Sequence, residues 1–121
     1  MTRQASTSPT SKLDTTQLGN ALVRTAVIAM NAGDRDAWFA AFAPNATLTD
    51  DGHRQDFRQW SEDEIFGEGR GHLISIERQE DNGLTLFGHF NSAQWGSFNT
   101  VFRFRQQGNT LTGLDVAQLS D

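Results

Sequence analysis

The side chains able to do chemistry in this sequence are few, and the acids lead. Asp50 and Asp51 stand just before Gly52, and Asp50 closes the run Ala46-Thr47-Leu48-Thr49-Asp50. If Asp50 turns inward among Phe42, Leu48 and Phe102, it loses hydration and becomes a stronger base, suited to taking a proton from a ligand. Left in water, the same Asp-Asp-Gly sequence would only cap a loop. His53, three residues beyond Asp50, and His89, on one strand face with Phe87, could each supply a proton; a histidine on an apolar face is also commonly just hydrogen-bonded in a core. The sequence has no tyrosine, so no phenol can donate in a site.

Other chemistries are excluded or weakly supported by residue type. With no cysteine there can be no disulfide, thiolate nucleophile or cysteine-ligated zinc. The histidines His53, His72 and His89 lack the close spacing by which one element binds a metal, so neither a metal nor another cofactor is expected. There is no Gly-rich phosphate loop, nucleophile elbow or internal repeat. The net charge of −5, from scattered acids, argues against a nucleic acid partner, which rewards clustered Lys and Arg. No run of about 18 apolar residues suggests a membrane span. The Ser/Thr-rich start MTRQASTSPTSK lacks the apolar core of a secretory signal, so a cytoplasmic protein is expected.

Nine Phe and three Trp supply aromatic surface without hydroxyls. Trp38, Trp60 and Trp95 could line a pocket for a flat or cyclic ligand, with an indole N–H fixing its orientation. Core filling explains Trp38 as well, and Trp60 could simply anchor a helix. Phe42, Leu48, Phe87, Thr100, Phe102 and Phe104 complete the expected lining.

These side chains need a scaffold, and 121 residues provide one domain. Residues 1–12 have the composition of a disordered leader, leaving 13–121 as the folded unit. From Thr15 to Ala32, Leu18, Leu22, Ala26 and Ala29, flanked by Val23, Val27 and Met30, recur at helical steps, and Gly33 ends the helix. Asp34 can cap a second helix running through Phe42, stopped by Pro44. A first strand covers 46–50, and a third helix lies between Asp56 and Phe66, its first turn capped either by Asp56 with Gln59 or by Ser61 with Glu64. The acidic run Glu62-Asp63-Glu64 reads as complementing a helix dipole.

The second half reads as a meander. Strands at 72–80 and 84–91 flank Asn82-Gly83, and strands at 97–106 and 110–118 flank Gly108-Asn109, both tight-hairpin signals. In the third of these strands Phe98, Thr100, Phe102 and Phe104 share one parity and Val101, Arg103 and Arg105 the other. The Phe face is the expected core face. Asp115, opposite in parity to Leu114 and Val116, is expected to point outward unless a bulge near Gly113 reverses it. Helices before strands predict an α+β protein with an antiparallel sheet.

The segments from Asn31 to Trp38 and from Phe42 to Asp50, with the later Phe102-Arg103-Phe104 before a Gly-containing turn, resemble the nuclear transport factor 2-like superfamily over residues 14–119. The SnoaL-like and ketosteroid-isomerase-like branch is the most similar in pattern. The resemblance implies a cystatin-like roll, in which a cone-shaped curved antiparallel sheet and three helices enclose an apolar pocket, with a small apolar, cyclic ligand and a homodimer through the outer sheet face. It also implies proton transfer of an isomerase, cyclase or hydrolase type, with Asp50 in the place of the general base. The family's oxyanion donors, a tyrosine and a carboxylic acid, fall near Ala26 and Thr100, neither of which can replace them. Loss of one such donor costs about 2.7–4 kcal/mol of transition-state stabilisation. A ketosteroid isomerase of the standard type is therefore not expected, and a non-catalytic ligand-binding or dimerisation module is the alternative.

Overall fold

The structure, a computed structural model, describes residues 14–119. The leader expected at residues 1–12 lies outside the described residues. A short 3₁₀ turn, Thr15–Gln17, leads into helix α1, Ala21–Ala32. The single helix expected over both is divided at Asn20, whose extended backbone and side-chain acceptor for Val23 N (3.0 Å) make it the N-cap of α1. Gly33, at φ 70°, closes α1 in the left-handed conformation that residues with a Cβ adopt at a cost. Asp34 caps α2, Arg35–Ala40, through Ala37 N at 3.1 Å.

Helix α2 ends sooner than its periodicity suggests, and strand β1 runs from Phe42 to Asp50. Pro44 lies inside it, where the pairing register breaks between Phe42 and Thr47 and no ladder donor is lost. A three-residue strand β2, His53–Gln55, folds back on β1. Helix α3, Phe57–Ser61, is capped by Asp56 and continues as a π turn over Glu62–Phe66. Strands β3 (His72–Glu80), β4 (Thr85–Ser92), β5 (Gly96–Gln107) and β6 (Thr110–Gln118) complete the chain. Among the described residues, no helix is long and apolar enough to cross a membrane.

The six strands form one curved sheet in the order β2-β1-β6-β5-β4-β3. Four of the five pairings are antiparallel, whereas β1 runs parallel to β6, so the sheet is mixed. The parallel pair arises because the chain traverses the whole meander between its two members, so β6 can return beside β1 in the same direction. Register shifts at Leu73/Ser75, Ile76/Arg78 and Arg105/Gln106 accentuate the bend. Gly88 permits the first of these, since a Cβ there would stand 2.1 Å from Ser75 O. The hairpin at Gly108-Asn109 has the expected two-residue loop. The loop at Asn82-Gly83 is longer, with Asp81, Asn82 and Gly83 all at positive φ.

The helices pack on the concave face. Val23, Ala26, Val27 and Met30 of α1 and Trp38 of α2 meet Leu48, Phe102, Phe104, Leu111 and Leu114 of the sheet. A continuous chain of rings runs through the core from Trp38 to Phe42 (4.9 Å), Phe104 (6.3 Å), Phe102 (6.1 Å) and Phe90 (5.7 Å). Thr100, Phe102 and Phe104 face this core, as their parity predicts, while Arg103 and Arg105 lie outside. Asp115 also lies on the outer face, paired with Arg105 and accepting from Thr49 Oγ1 at 2.7 Å.

Candidate functional site

Beyond the packed rings, a cavity of about 360 Å³ opens between the π turn and the strands. Phe90, Phe98, Phe102 and Val116 provide its apolar wall, and Asp50, Asp51, Trp60, Glu64 and Trp95 contribute its charged and indole surface. Asp50 arrives at the tip of β1, where the paired register with His53 and Val116 fixes its backbone. Its side chain is then held from the helix side, because Trp60 Nε1 donates to Asp50 Oδ2 at 2.8 Å. One carboxylate oxygen is thus engaged by the indole.

Glu64 joins the same cavity from the π turn. Trp95 Nε1 donates to its Oε1 at 3.2 Å, bringing the β4–β5 loop to the site while Trp95 remains 69% exposed. Burial pushes the Glu64 carboxyl above its ordinary proton affinity; the Trp95 hydrogen bond opposes that shift, and the charges of Asp50 and Asp63 add to it. Asp51 accepts from Gln118 N at 2.9 Å and fastens the end of β6.

Of the residues singled out from sequence, Asp50, Trp60, Trp95, Thr100 and Phe102 come together here. Trp38, Phe42, Leu48 and Phe104 do not line the cavity; they are buried in the adjoining core, where the helical hairpin covers them. Trp38 Nε1 is spent on Ser61 Oγ at 3.0 Å. Phe87 and His89 lie on the opposite face of β4, whose concave residues are Leu86, Gly88 and Phe90. Phe87 is covered by the Arg78 guanidinium at 4.0 Å, and His89 Nδ1 stands 3.3 Å from Glu77 Oε2. Gly88 hid that parity, because it occupies an inward position without an apolar side chain. His53 is exposed on β2, outside the cavity.

No family model matches this sequence, and no curated protein matches it either. Solved structures do. An NTF2-like protein of unknown function from Cytophaga hutchinsonii superposes with a TM-score of 0.66, at 13% identity, over 89% of this chain and 92% of its own. The chain has the nuclear transport factor 2-like fold. A protein provisionally named polyketide cyclase from Sinorhizobium meliloti gives 0.67 at 16% identity, over 85% of this chain and 98% of its own. The Orange Carotenoid Protein of Anabaena (Nostoc) sp. PCC 7120, which binds canthaxanthin, gives 0.63 at 16% identity, covering 84% of this chain but 36% of that larger one.

Within this nuclear transport factor 2-like fold, the two positions where donors would be sought are empty of free donors. Ala26 is buried in α1 without a polar atom on its side chain. Thr100 lines the cavity, yet its Oγ1 donates to Ala117 O at 2.8 Å, so its hydrogen is committed to the backbone. What the sequence reading missed is Glu64. Its run reads in the sequence as dipole compensation, but the three acids separate: Glu62 pairs with Arg35, Asp63 accepts from Gln59 Nε2 (3.0 Å) and Glu64 turns to the cavity. The available signal was its spacing of four from Trp60, which puts both side chains on one helical face.

Proposed function

We propose that the chain binds a small, mostly apolar, cyclic molecule in this cavity and that Asp50 acts on it as a base in a proton transfer of the isomerase, cyclase or hydrolase type. The observation that carries this reading is the Asp50 carboxylate in the lining of a cavity walled by Phe98 and Phe102, with one of its oxygens fixed by Trp60. A carboxylate oriented by a neutral N–H beside an apolar wall is suited to abstracting a proton from a bound ligand. The fold's resemblance to a polyketide cyclase-like protein and to a carotenoid binder supports an apolar ligand. Phe87 on the outer sheet face, flanked by Arg78 and Arg103, supports the homodimer that belongs to the same reading.

A second reading, binding without catalysis, is favoured by the committed Thr100 hydroxyl and the apolar Ala26. The two separate in one experiment. A library of cyclic ketones, lactones and aromatic alcohols is screened by thermal shift, and each stabilising compound is incubated with the protein and with Asp50→Asn. Catalysis requires product formed by the native chain and reduced by about 10²–10⁴-fold in the variant. Product formed equally by both removes Asp50 as the base. Binding with no product in either leaves the non-catalytic reading.

A further inference from the structure

The cavity's charge is one-sided. Its ionisable lining residues are Asp50, Asp51 and Glu64, and no Lys, Arg or His is among them. A smaller hollow that shares Asp50, Trp60 and Glu64 adds Asp56 and Asp63, again with no positive side chain. The arginines of the adjoining helices face elsewhere: Arg35 pairs with Glu62, and Arg58 lies over the Phe39 ring at 4.0 Å.

The protein partners recorded for the cavity carboxylates are neutral donors. Asp50 takes the Trp60 indole, Glu64 the Trp95 indole and Asp51 a backbone amide. Such bonds orient a carboxylate without cancelling its charge, and two half-buried anions facing one cavity repel each other. Burial raises the proton affinity of Glu64, and the nearby charge of Asp50 adds to the rise. Two indoles stand at the same place, and an aromatic face attracts a cation that approaches it. The apolar wall of Phe90, Phe98 and Phe102 then receives whatever body the cation carries.

We infer that the cavity's ligand is an organic amine, its ammonium held between Asp50 and Glu64 beside the indoles of Trp60 and Trp95 and its cyclic apolar body lodged against Phe90, Phe98 and Phe102. This rests on the cavity being the ligand site proposed above, and it holds whether Asp50 then takes a proton or only holds the charge. A bare metal ion fits less well, since among the described residues no group of three or more His, Asp or Glu side chains is placed to hold one.

The test titrates the full chain at low salt with three probes of nearly equal shape: 2-(aminomethyl)naphthalene, 2-(hydroxymethyl)naphthalene and 2-naphthoate. The amine is expected to bind at least about tenfold more tightly than the alcohol, with the carboxylate weakest. That preference should shrink as salt rises. Glu64→Gln and Asp50→Asn should each reduce the preference for amine over alcohol, and circular dichroism checks that both variants fold. An alcohol that binds as tightly as the amine, and is weakened by Phe98→Trp filling the cavity, overturns the cationic ligand and leaves the cavity site standing. If no probe binds, or if binding ignores Phe98→Trp, both the amine and the cavity reading fall.

Discussion

Trp60 Nε1 donates a 2.8 Å hydrogen bond to Asp50 Oδ2, and that bond joins the tip of β1 to α3. It turns a strand-end aspartate, otherwise free to cap its loop, toward the cavity. A hydrogen bond to a charged group contributes about 1.5–3 kcal/mol. Trp60→Phe, which keeps most of the ring volume, is expected to lower stability by an amount in that range in urea unfolding. Asp50→Asn should cost less, because the amide oxygen still accepts. A Trp60→Phe loss of only a few tenths would show that the bond is not maintained in solution.

Trp38 is fully buried and bridges the helical hairpin to α3 through Ser61. Trp38→Ala removes a large core side chain, at a cost of about 3–5 kcal/mol. Trp38→Phe should cost less, because Ser61 Oγ keeps its bond to Phe57 O at 2.8 Å. Thermal denaturation followed by near-UV dichroism measures both.

Asn31 at the end of α1 behaves as an additional strand for β3. Its Nδ2 donates to Leu73 O at 2.8 Å, and its Oδ1 accepts from Leu73 N at 2.9 Å. Two bonds at roughly 0.5–1.5 kcal/mol each make Asn31→Ala destabilising by about 1–3 kcal/mol. Hydrogen exchange should show the Leu73 amide losing protection well before those of β5.

Glu62 and Glu64, two residues apart, should give opposite pH dependences. The folded state raises the proton affinity of Glu64, chiefly by burial, so folding favours its protonated form. Its contribution is therefore present below the ordinary carboxylate range and is lost as pH rises through the raised value. Glu64→Gln should gain stability relative to the native chain between about pH 4 and 7. For Glu62, the hydrogen bond from Arg35 lowers the proton affinity, so its contribution appears above the ordinary carboxylate value and is lost on acidification. Glu62→Gln should lose stability relative to the native chain as pH rises. Urea midpoints across this pH range check both signs.

The sequence alone determined the features that depend on near neighbours. Asp34 starts its helix because a cap needs only a backbone N–H three residues on, and Gly108-Asn109 turns its hairpin because those two residues tolerate the turn's backbone; for the third helix the structure chose Asp56 over Ser61. The inward set Thr100, Phe102 and Phe104 followed from the two-residue repeat of a strand. Asp50 could be named as a candidate, but its direction could not, since Trp60 sets it from another element. Tertiary structure decided the rest. It placed β1 parallel to β6, turned Phe87 and His89 outward, sank Trp38 and Phe42 into the core, and brought Glu64 to Trp95 across 31 positions of sequence. Local propensity carries no term for groups that distant. A cavity is the space left where such groups meet without filling it.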